Sequence, residues 1–295
     1  MFLHPDLQDA RPLMVVGRPR CGTRFVASAL SRHPAILLMG EIPSPAMDNA
    51  IRFLSETRDV FASEPRWSGW ENSRRDLLYA IWASILKGTP RASRGTISWF
   101  GHKTPRHDQY WTFYRDFFGD TSPKYVFCMR NFVDHYLSMN SLKEHRTTDR
   151  VDRARNIQLI AREYRAAVSR YADMKAALGE SVSLFILDDL REGGIDYVRA
   201  TVFEGLGIEV DNPTLSRIDV SRRANSTEGA GAARRTELTA DEHAFLDKNQ
   251  DLLDALDALR AAGPLVSREA EPGSSRLALL GGGWFGGRQQ HRTRG

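Results

Sequence analysis

The residues best suited to chemistry in this sequence are three arginines, Arg18, Arg20 and Arg24, in or beside a segment bounded by glycines. The apolar run 13–16 before that segment is typical of a buried parallel strand, and apolar residues recur at helical spacing after Thr23. A strand, a glycine-bounded turn and a helix point backbone N–H groups and a helix N-terminus at an anion. The arginines add fixed positive charge there. We therefore expect this segment to bind a phosphate or sulfate ester.

Three well-known anion-binding loops do not match the segment. The spacing of Gly17 and Gly22 fits a Walker A loop, but Thr23 follows Gly22 where that loop needs a lysine. The G-x-G-x-x-G pattern of a dinucleotide-binding loop is absent. A phosphatase-type cysteine loop needs an arginine six residues after its cysteine, but the residue six positions after Cys21 is Ala27. Each of these loops lacks the residue that carries its chemistry.

Residues 19–23, Pro-Arg-Cys-Gly-Thr, resemble instead the loop with which sulfotransferases bind 3′-phosphoadenosine 5′-phosphosulfate (PAPS). The order of an arginine, a small residue (Cys21) and Gly-Thr is most similar to the loop of tyrosylprotein sulfotransferases and their bacterial relatives. The resemblance implies that PAPS is the sulfuryl donor and that 3′,5′-adenosine bisphosphate (PAP) is the product. It also implies that the donor's phosphosulfate is bound by Arg18, Arg20, Cys21, Gly22, Thr23 and Arg24.

A second match lies further along the chain, where an apolar strand ends in Arg130 and is followed by Ser138. This pair resembles the family's second signature, in which the arginine and the serine bind the donor's 3′-phosphate. An arginine at a strand end and a hydroxyl about two turns into the next helix can reach one phosphate. The tyrosylprotein enzymes have a further arginine where Leu142 stands here. Arg222 and Arg223 fall where relatives place a basic or polar loop over the 3′-phosphate, which implies two more donor contacts.

Sulfuryl transfer to a hydroxyl needs a base within hydrogen-bond reach of the incoming O–H group. Glu41, in Met-Gly-Glu, resembles the Gly-Glu that supplies this base in the tyrosylprotein enzymes. His102 is the competing base, because small-molecule sulfotransferases use a histidine near a similar Lys-Thr turn. Lys103, in Gly-His-Lys-Thr-Pro, resembles the lysine at the reacting centre of glycosaminoglycan sulfotransferases and could neutralise developing charge. Arg20 replaces those enzymes' loop lysine and could stabilise the leaving oxygen electrostatically.

The elements that would position these residues alternate between strands and helices. Apolar runs at 13–16, 124–129 and 182–187, with a strand from Thr96 into a turn at Pro105, predict a doubly wound parallel sheet. Its site is expected at the carboxyl ends of the strands. The resemblance implies an α/β, P-loop NTPase-like sulfotransferase fold, a single domain with helical insertions. A capping box, Thr-Ala-Asp-Glu at 239–242, predicts one helix that extends to about residue 261.

Length and composition fit one globular domain, with 295 residues, 41% hydrophobic and 26% charged. We expect residues 1–11 to be a lead-in, 12–263 the sulfotransferase domain and 264–295 a flexible basic tail. The sequence has no apolar run long enough to cross a membrane and no visible secretory signal. Its two cysteines suggest no disulfide framework, so a cytoplasmic location is expected.

The net charge of +4 is concentrated in the region 264–295, where arginines outnumber acidic residues. The rest of the chain is nearly neutral, which argues against a nucleic-acid partner. The expected partner is an acceptor that carries a hydroxyl group, and a homodimer is left open. The residues suggest no metal site.

The sequence thus predicts a PAPS-dependent sulfotransferase acting on a small-molecule, sugar or lipid hydroxyl. Two alternatives stay open. One is a degenerate P-loop kinase that uses ATP and Mg²⁺, and the missing loop lysine counts against it. The other is a non-catalytic nucleotide-binding module whose basic tail engages a partner or a membrane.

Overall fold

The structure, a computed structural model, describes residues 7, 9–62, 70–85, 96–140, 150–221 and 237–261. The predicted boundary at residue 264 lies outside this part of the chain and stays a prediction. Each helix within the described residues is too short or too polar to span a bilayer.

The centre of the fold is a five-stranded sheet with the strand order β2-β3-β1-β4-β5. Its strands are β1 (Arg11–Gly17), β2 (Ile36–Met39), β3 (Trp99–Lys103), β4 (Lys124–Met129) and β5 (Val182–Ile186). Each neighbouring pair of strands is parallel. The predicted parallel α/β sheet is therefore confirmed, and all five strands deliver their carboxyl ends to one edge.

Helices connect and cover the strands. The α-helices of the described residues are α1 (Thr23–Leu30), α2 (Ser44–Ala62), α3 (Trp70–Ile85), α4 (Trp111–Phe118), α5 (Phe132–Asn140), α6 (Arg150–Leu178), α7 (Leu190–Val198), α8 (Asn212–Leu215), α9 (Ala240–Asp247) and α10 (Asp251–Ala261). A short 3₁₀ turn, His107–Tyr110, precedes α4. The insertion between β2 and β3 is helical, as the sequence predicts.

Alternation along β1 explains why both faces of the sheet are covered. Leu13 and Val15 point into one apolar cluster, which contains Val26 of α1. Met14 and Val16 point to the opposite face, into the larger cluster. Because successive strand residues face opposite sides, a continuously apolar strand needs a helical layer on each side. The doubly wound arrangement follows from this pattern.

The predicted single helix from the capping box to residue 261 is wrong. The capping box of Thr239 and Glu242 is present, but the helix that it opens, α9, ends at Asp247. The side-chain amide of Asn249 donates a hydrogen bond to the carbonyl of Phe245, 2.7 Å away, and so binds a carbonyl at the end of α9. A new helix, α10, begins at Asp251.

Candidate active site

The turn between β1 and α1, residues 17–22, is called here the anion loop. Gly17 has a φ of +109°, and a Cβ atom there would lie 2.2 Å from the carbonyl oxygen of Cys128 on β4. Gly22 has a φ of +88° and is the N-cap residue of α1, whose first residue, Thr23, is buried. The two glycines thus let the chain leave β1 against β4 and enter α1 with its first amide groups at the loop.

Arg20, in the middle of the anion loop, has a left-handed backbone with a φ of 67°. This conformation costs an L-residue such as arginine roughly 1 kcal/mol. Its Nε atom donates a hydrogen bond to the Oγ atom of Ser138, 3.0 Å away on α5. The structure therefore brings together two predicted donor-binding residues that lie far apart in the sequence.

Arg18 is buried beneath the loop and forms an ion pair with Glu163 of α6. A second arginine, Arg106, donates a hydrogen bond to the same Oε2 atom of Glu163 over 3.1 Å. Burial lowers the pKa of Arg18, and the nearby negative charge of Glu163 acts in the opposite direction. The backbone N–H of Arg106 also binds the carbonyl oxygen of Gly17, 2.8 Å away. Arg106 and Glu163 therefore belong to the surroundings of the anion loop.

Cys21 is fully buried, and its Sγ atom lies 3.5 Å from Nδ1 of His135 on α5. Burial raises the pKa of the Cys21 thiol to about 12 and lowers that of His135 to about 3. Both groups are therefore neutral near pH 7. The thiol packs in the core under the loop, and Cys128 is likewise buried and free.

Glu41 and Lys103 meet at the carboxyl edge of the sheet. Lys103 is the last residue of β3, and Glu41 follows the neighbouring strand β2. The Nζ atom of Lys103 donates a hydrogen bond to Oε1 of Glu41. The Lys103 side chain is 11% exposed and that of Glu41 is 58% exposed, so the carboxylate is the more accessible partner. The anion loop follows β1, the strand next to β3. A carboxylate and an ammonium group thus lie beside the anion loop at the same edge of the sheet.

His102 points away from this pair, because successive residues of a strand face opposite sides. Its ring is fully buried, 4.9 Å from the ring of Trp82, and Nδ1 lies 3.0 Å from Oγ1 of Thr104. Burial lowers the pKa of His102 well below its ordinary value. The Thr104 oxygen also accepts a 3.0 Å hydrogen bond from the backbone N–H of Ile42. His102 therefore supports the threonine that holds the chain next to Glu41.

Arg130 lies at the end of β4, as predicted, but two carboxylates surround it. Its Nη2 atom donates to Asp134, 2.9 Å away, and its Nε atom lies 3.7 Å from Asp188 after β5. Asn131 joins the same cluster through a 2.6 Å hydrogen bond to Asp188. Ser138 accepts a hydrogen bond from Arg20, whereas Arg130 contacts these acidic groups.

A cavity of about 260 Å³ lies beside the first turns of α1. Arg24 and Phe25 contribute from α1, Arg32 from the turn after α1, and Arg217 and Asp219 from the segment after α8. Three arginines against one aspartate make the lining basic. The cavity is therefore suited to an anionic ligand.

Two of the predicted donor contacts, Arg222 and Arg223, lie outside the described residues. Sequence reasoning missed Arg106 and Glu163. Arg106 directly follows the Gly-His-Lys-Thr-Pro segment at 101–105, so its position next to that turn could have identified it as a candidate site residue. Glu163 lies within the arginine-rich helix α6, where nothing in the local pattern distinguishes it. Groups of His, Cys, Asp and Glu that could hold a metal ion are absent from the described part of the chain.

A sequence model of the sulfotransferase family matches residues 12–186, the stretch from β1 to the end of β5. The chain belongs to the sulfotransferase family. This match confirms the family prediction and spans the anion loop, Glu41, Lys103, Arg130 and Ser138. No curated protein matches this sulfotransferase.

Several solved sulfotransferases resemble this one in structure at low sequence identity. One from Mycobacterium avium is 15% identical with a TM-score of 0.48, over 90% of this chain and 81% of that chain. A mouse sulfotransferase, solved in complex with PAP, is 12% identical with a TM-score of 0.48, over 86% and 88%. One from Alicyclobacillus acidocaldarius is 20% identical with a TM-score of 0.44, over 85% and 99%.

Proposed function

We propose that this protein transfers a sulfuryl group from PAPS to a hydroxyl group of an acceptor. The observation that carries the proposal is the ion pair of Lys103 with Glu41 at the sheet edge that also bears the anion loop. A potential base, a cation and a helix N-terminus thus lie at one edge of the sheet. Membership of the sulfotransferase family supports the same chemistry.

In the proposed mechanism, Glu41 accepts the proton of the acceptor hydroxyl as its oxygen attacks sulfur. The new O–S bond forms while the S–O bond to the donor phosphate breaks, and PAP leaves with that oxygen. Lys103 neutralises the charge that grows on the transferring group or on the leaving phosphate. Arg20 and the loop amides of residues 21–24 stabilise the phosphosulfate, since they lie where fixed positive charge adjoins α1.

Glu41 suits the role of base better than His102. Its carboxylate is largely exposed, whereas the His102 ring is fully buried and contacts Thr104. A general base must come within hydrogen-bond reach of the acceptor proton. We therefore assign the base to Glu41 and a supporting role to His102.

We place the donor nucleotide between the anion loop and the basic cavity beside α1. A cavity of about 260 Å³ is large enough for part of a nucleotide, and its arginines complement a phosphate. Ser138, Arg222 and Arg223 are proposed as contacts of the 3′-phosphate. Arg130 is proposed to bind the same phosphate while it keeps its ion pairs with Asp134 and Asp188.

The acceptor is a small molecule, a sugar or a lipid that carries a hydroxyl, and we propose a cytoplasmic location. The direct test incubates the protein with PAPS and representative phenols, sugars and hydroxylated lipids. Formation of PAP together with an equal amount of sulfated acceptor supports the proposal. Phosphorylation of an acceptor by Mg²⁺-ATP, without any reaction of PAPS, contradicts it.

A further inference from the structure

Arg106 shares an unusual backbone feature with the anion loop. Among the described residues, the non-glycine residues with a left-handed backbone are Arg20, with a φ of 67°, and Arg106, with a φ of 70°. Long side chains rarely adopt this conformation. Sparsely populated backbone conformations are concentrated at functional sites, where the surrounding structure holds them. Arg20 is already a predicted site residue, and Arg106 shares its geometry.

The backbone of Arg106 also contacts the anion loop directly. Its backbone N–H donates a 2.8 Å hydrogen bond to the carbonyl of Gly17, where the loop begins. The same turn places the Thr104 N–H 3.1 Å from the carbonyl of Val15 on β1. These two bonds fix the turn after β3 against the end of β1. The Arg106 side chain is therefore fixed at its base, and 45% of it is exposed.

Positive charge exceeds negative charge around Arg106. Arg18 and Arg106 share one oxygen of Glu163, so two guanidinium groups meet one carboxylate. The next acidic group near Arg18, Asp108, forms an ion pair with Arg170. Arg18 is only 4% exposed, and its Nε–H has no hydrogen-bond partner among the described residues. A group with several acceptor oxygens and a negative charge would complement this arrangement.

We propose that Arg106 is a further binding residue for the sulfuryl group of the donor, acting beside Arg18 at the start of the anion loop. The proposal rests on the proposed function, because it takes PAPS as the donor. The Arg106 guanidinium donates hydrogen bonds to the sulfuryl oxygens before and during transfer. No proton moves to or from Arg106, which stays charged throughout.

The test compares the affinities of PAPS and PAP, which differ in the sulfuryl group. Arg106→Gln is expected to weaken PAPS binding about tenfold, because a hydrogen bond to a charged group is lost. The affinity for PAP should change less than about twofold by the same reasoning. Arg106→Lys keeps the charge but loses the planar fork, so an intermediate loss is expected. Arg115→Gln is the matched control, because Arg115 is 43% exposed, pairs with Asp116 and lies on α4.

Titration calorimetry on the full chain measures both affinities, and circular dichroism checks that each variant is folded. An equal loss of PAPS and PAP affinity would overturn the proposal, because it would mean that Arg106 only supports the loop. Unchanged affinities for both nucleotides would overturn it as well. If the unaltered protein binds neither nucleotide, the proposed function itself fails and this proposal falls with it. Arg106→Lys supplies the comparison if Arg106→Gln does not fold.

Discussion

Glu41 and Lys103 illustrate how single residues at two strand ends can form one reactive pair. The buried Lys103 holds the exposed Glu41 by a hydrogen bond, which leaves the carboxylate facing solvent. The N–H of the next residue, Ile42, is bound by Thr104 directly after β3. Glu41 is therefore positioned from both sides, through its carboxylate and through its backbone. A base held in this way can meet an acceptor hydroxyl without reorganising.

Glu41→Gln tests the assigned base at the residue scale. The amide cannot accept the acceptor's proton, so turnover should fall by about a hundredfold or more. PAP affinity should stay within about twofold, because the proposal gives Glu41 no contact with the donor. Turnover is measured as sulfated acceptor formed from PAPS, and PAP affinity is measured by calorimetry. Glu56→Gln, on the exposed face of α2, is the control, and a parallel loss of PAP affinity in Glu41→Gln would contradict the assignment.

The sequence predicted which residue types would gather at the site, but not every contact that they make. Lys103 and Glu41 were predictable, since parallel strands deliver their ends to one edge. The burial of His102 depends on which face of β3 packs against Trp82, and the local pattern does not specify this. The pairing of Arg18 with Glu163 joins residues far apart in the chain, so periodicity could not indicate it.

At the scale of elements, the anion loop depends on close contact between β1 and β4. The carbonyl of Cys128 lies where a side chain at residue 17 would begin, so only glycine fits there without movement. The strand, the turn and the helix were each predictable because their signals are local: an apolar run, glycines and helical spacing. The break between α9 and α10 was not, because the apolar spacing continues across it. There the side chain of Asn249 binds the carbonyl of Phe245 at the end of α9.

Gly17→Ala is expected to destabilise the protein by about 2 kcal/mol or more. The added methyl group would overlap the Cys128 carbonyl, and the φ of +109° is strained for alanine. Gly207→Ala is the control, since Gly207 has a φ of +63° and only ordinary contacts around a Cβ atom. That change should cost about 1 kcal/mol, from the backbone conformation alone. Urea unfolding measures both values, and equal costs would contradict the role given to close packing at Gly17.

At the scale of the whole molecule, buried histidines couple stability to pH. Burial lowers the pKa of His107 to about 4 and that of His135 to about 3, from an ordinary value of 6.5. Between these values and pH 6.5 the unfolded chain binds protons that the folded protein does not. The free energy of unfolding should therefore fall as the pH drops from about 6.5 to 4, by up to about 1.4 kcal/mol per pH unit for each histidine.

The variant His135→Gln isolates one of these contributions. It removes a group that is neutral when folded and protonated when unfolded, so stability should depend less steeply on pH below 6.5. His243→Gln is the control, because His243 is exposed on α9. Urea unfolding across this pH range gives the slopes. An unchanged slope in His135→Gln would mean that the ring is not held neutral in the folded protein.

Calorimetric titration with PAP beside ATP, with and without Mg²⁺, tests whether PAPS is the donor. We expect PAP to bind with a dissociation constant on the order of micromolar, or about −8 kcal/mol, and more tightly than ATP. Binding should not need Mg²⁺ and should weaken in Arg130→Ala but not in Arg115→Ala. Mg²⁺-dependent binding of ATP without binding of PAP would contradict the claim and favour a kinase.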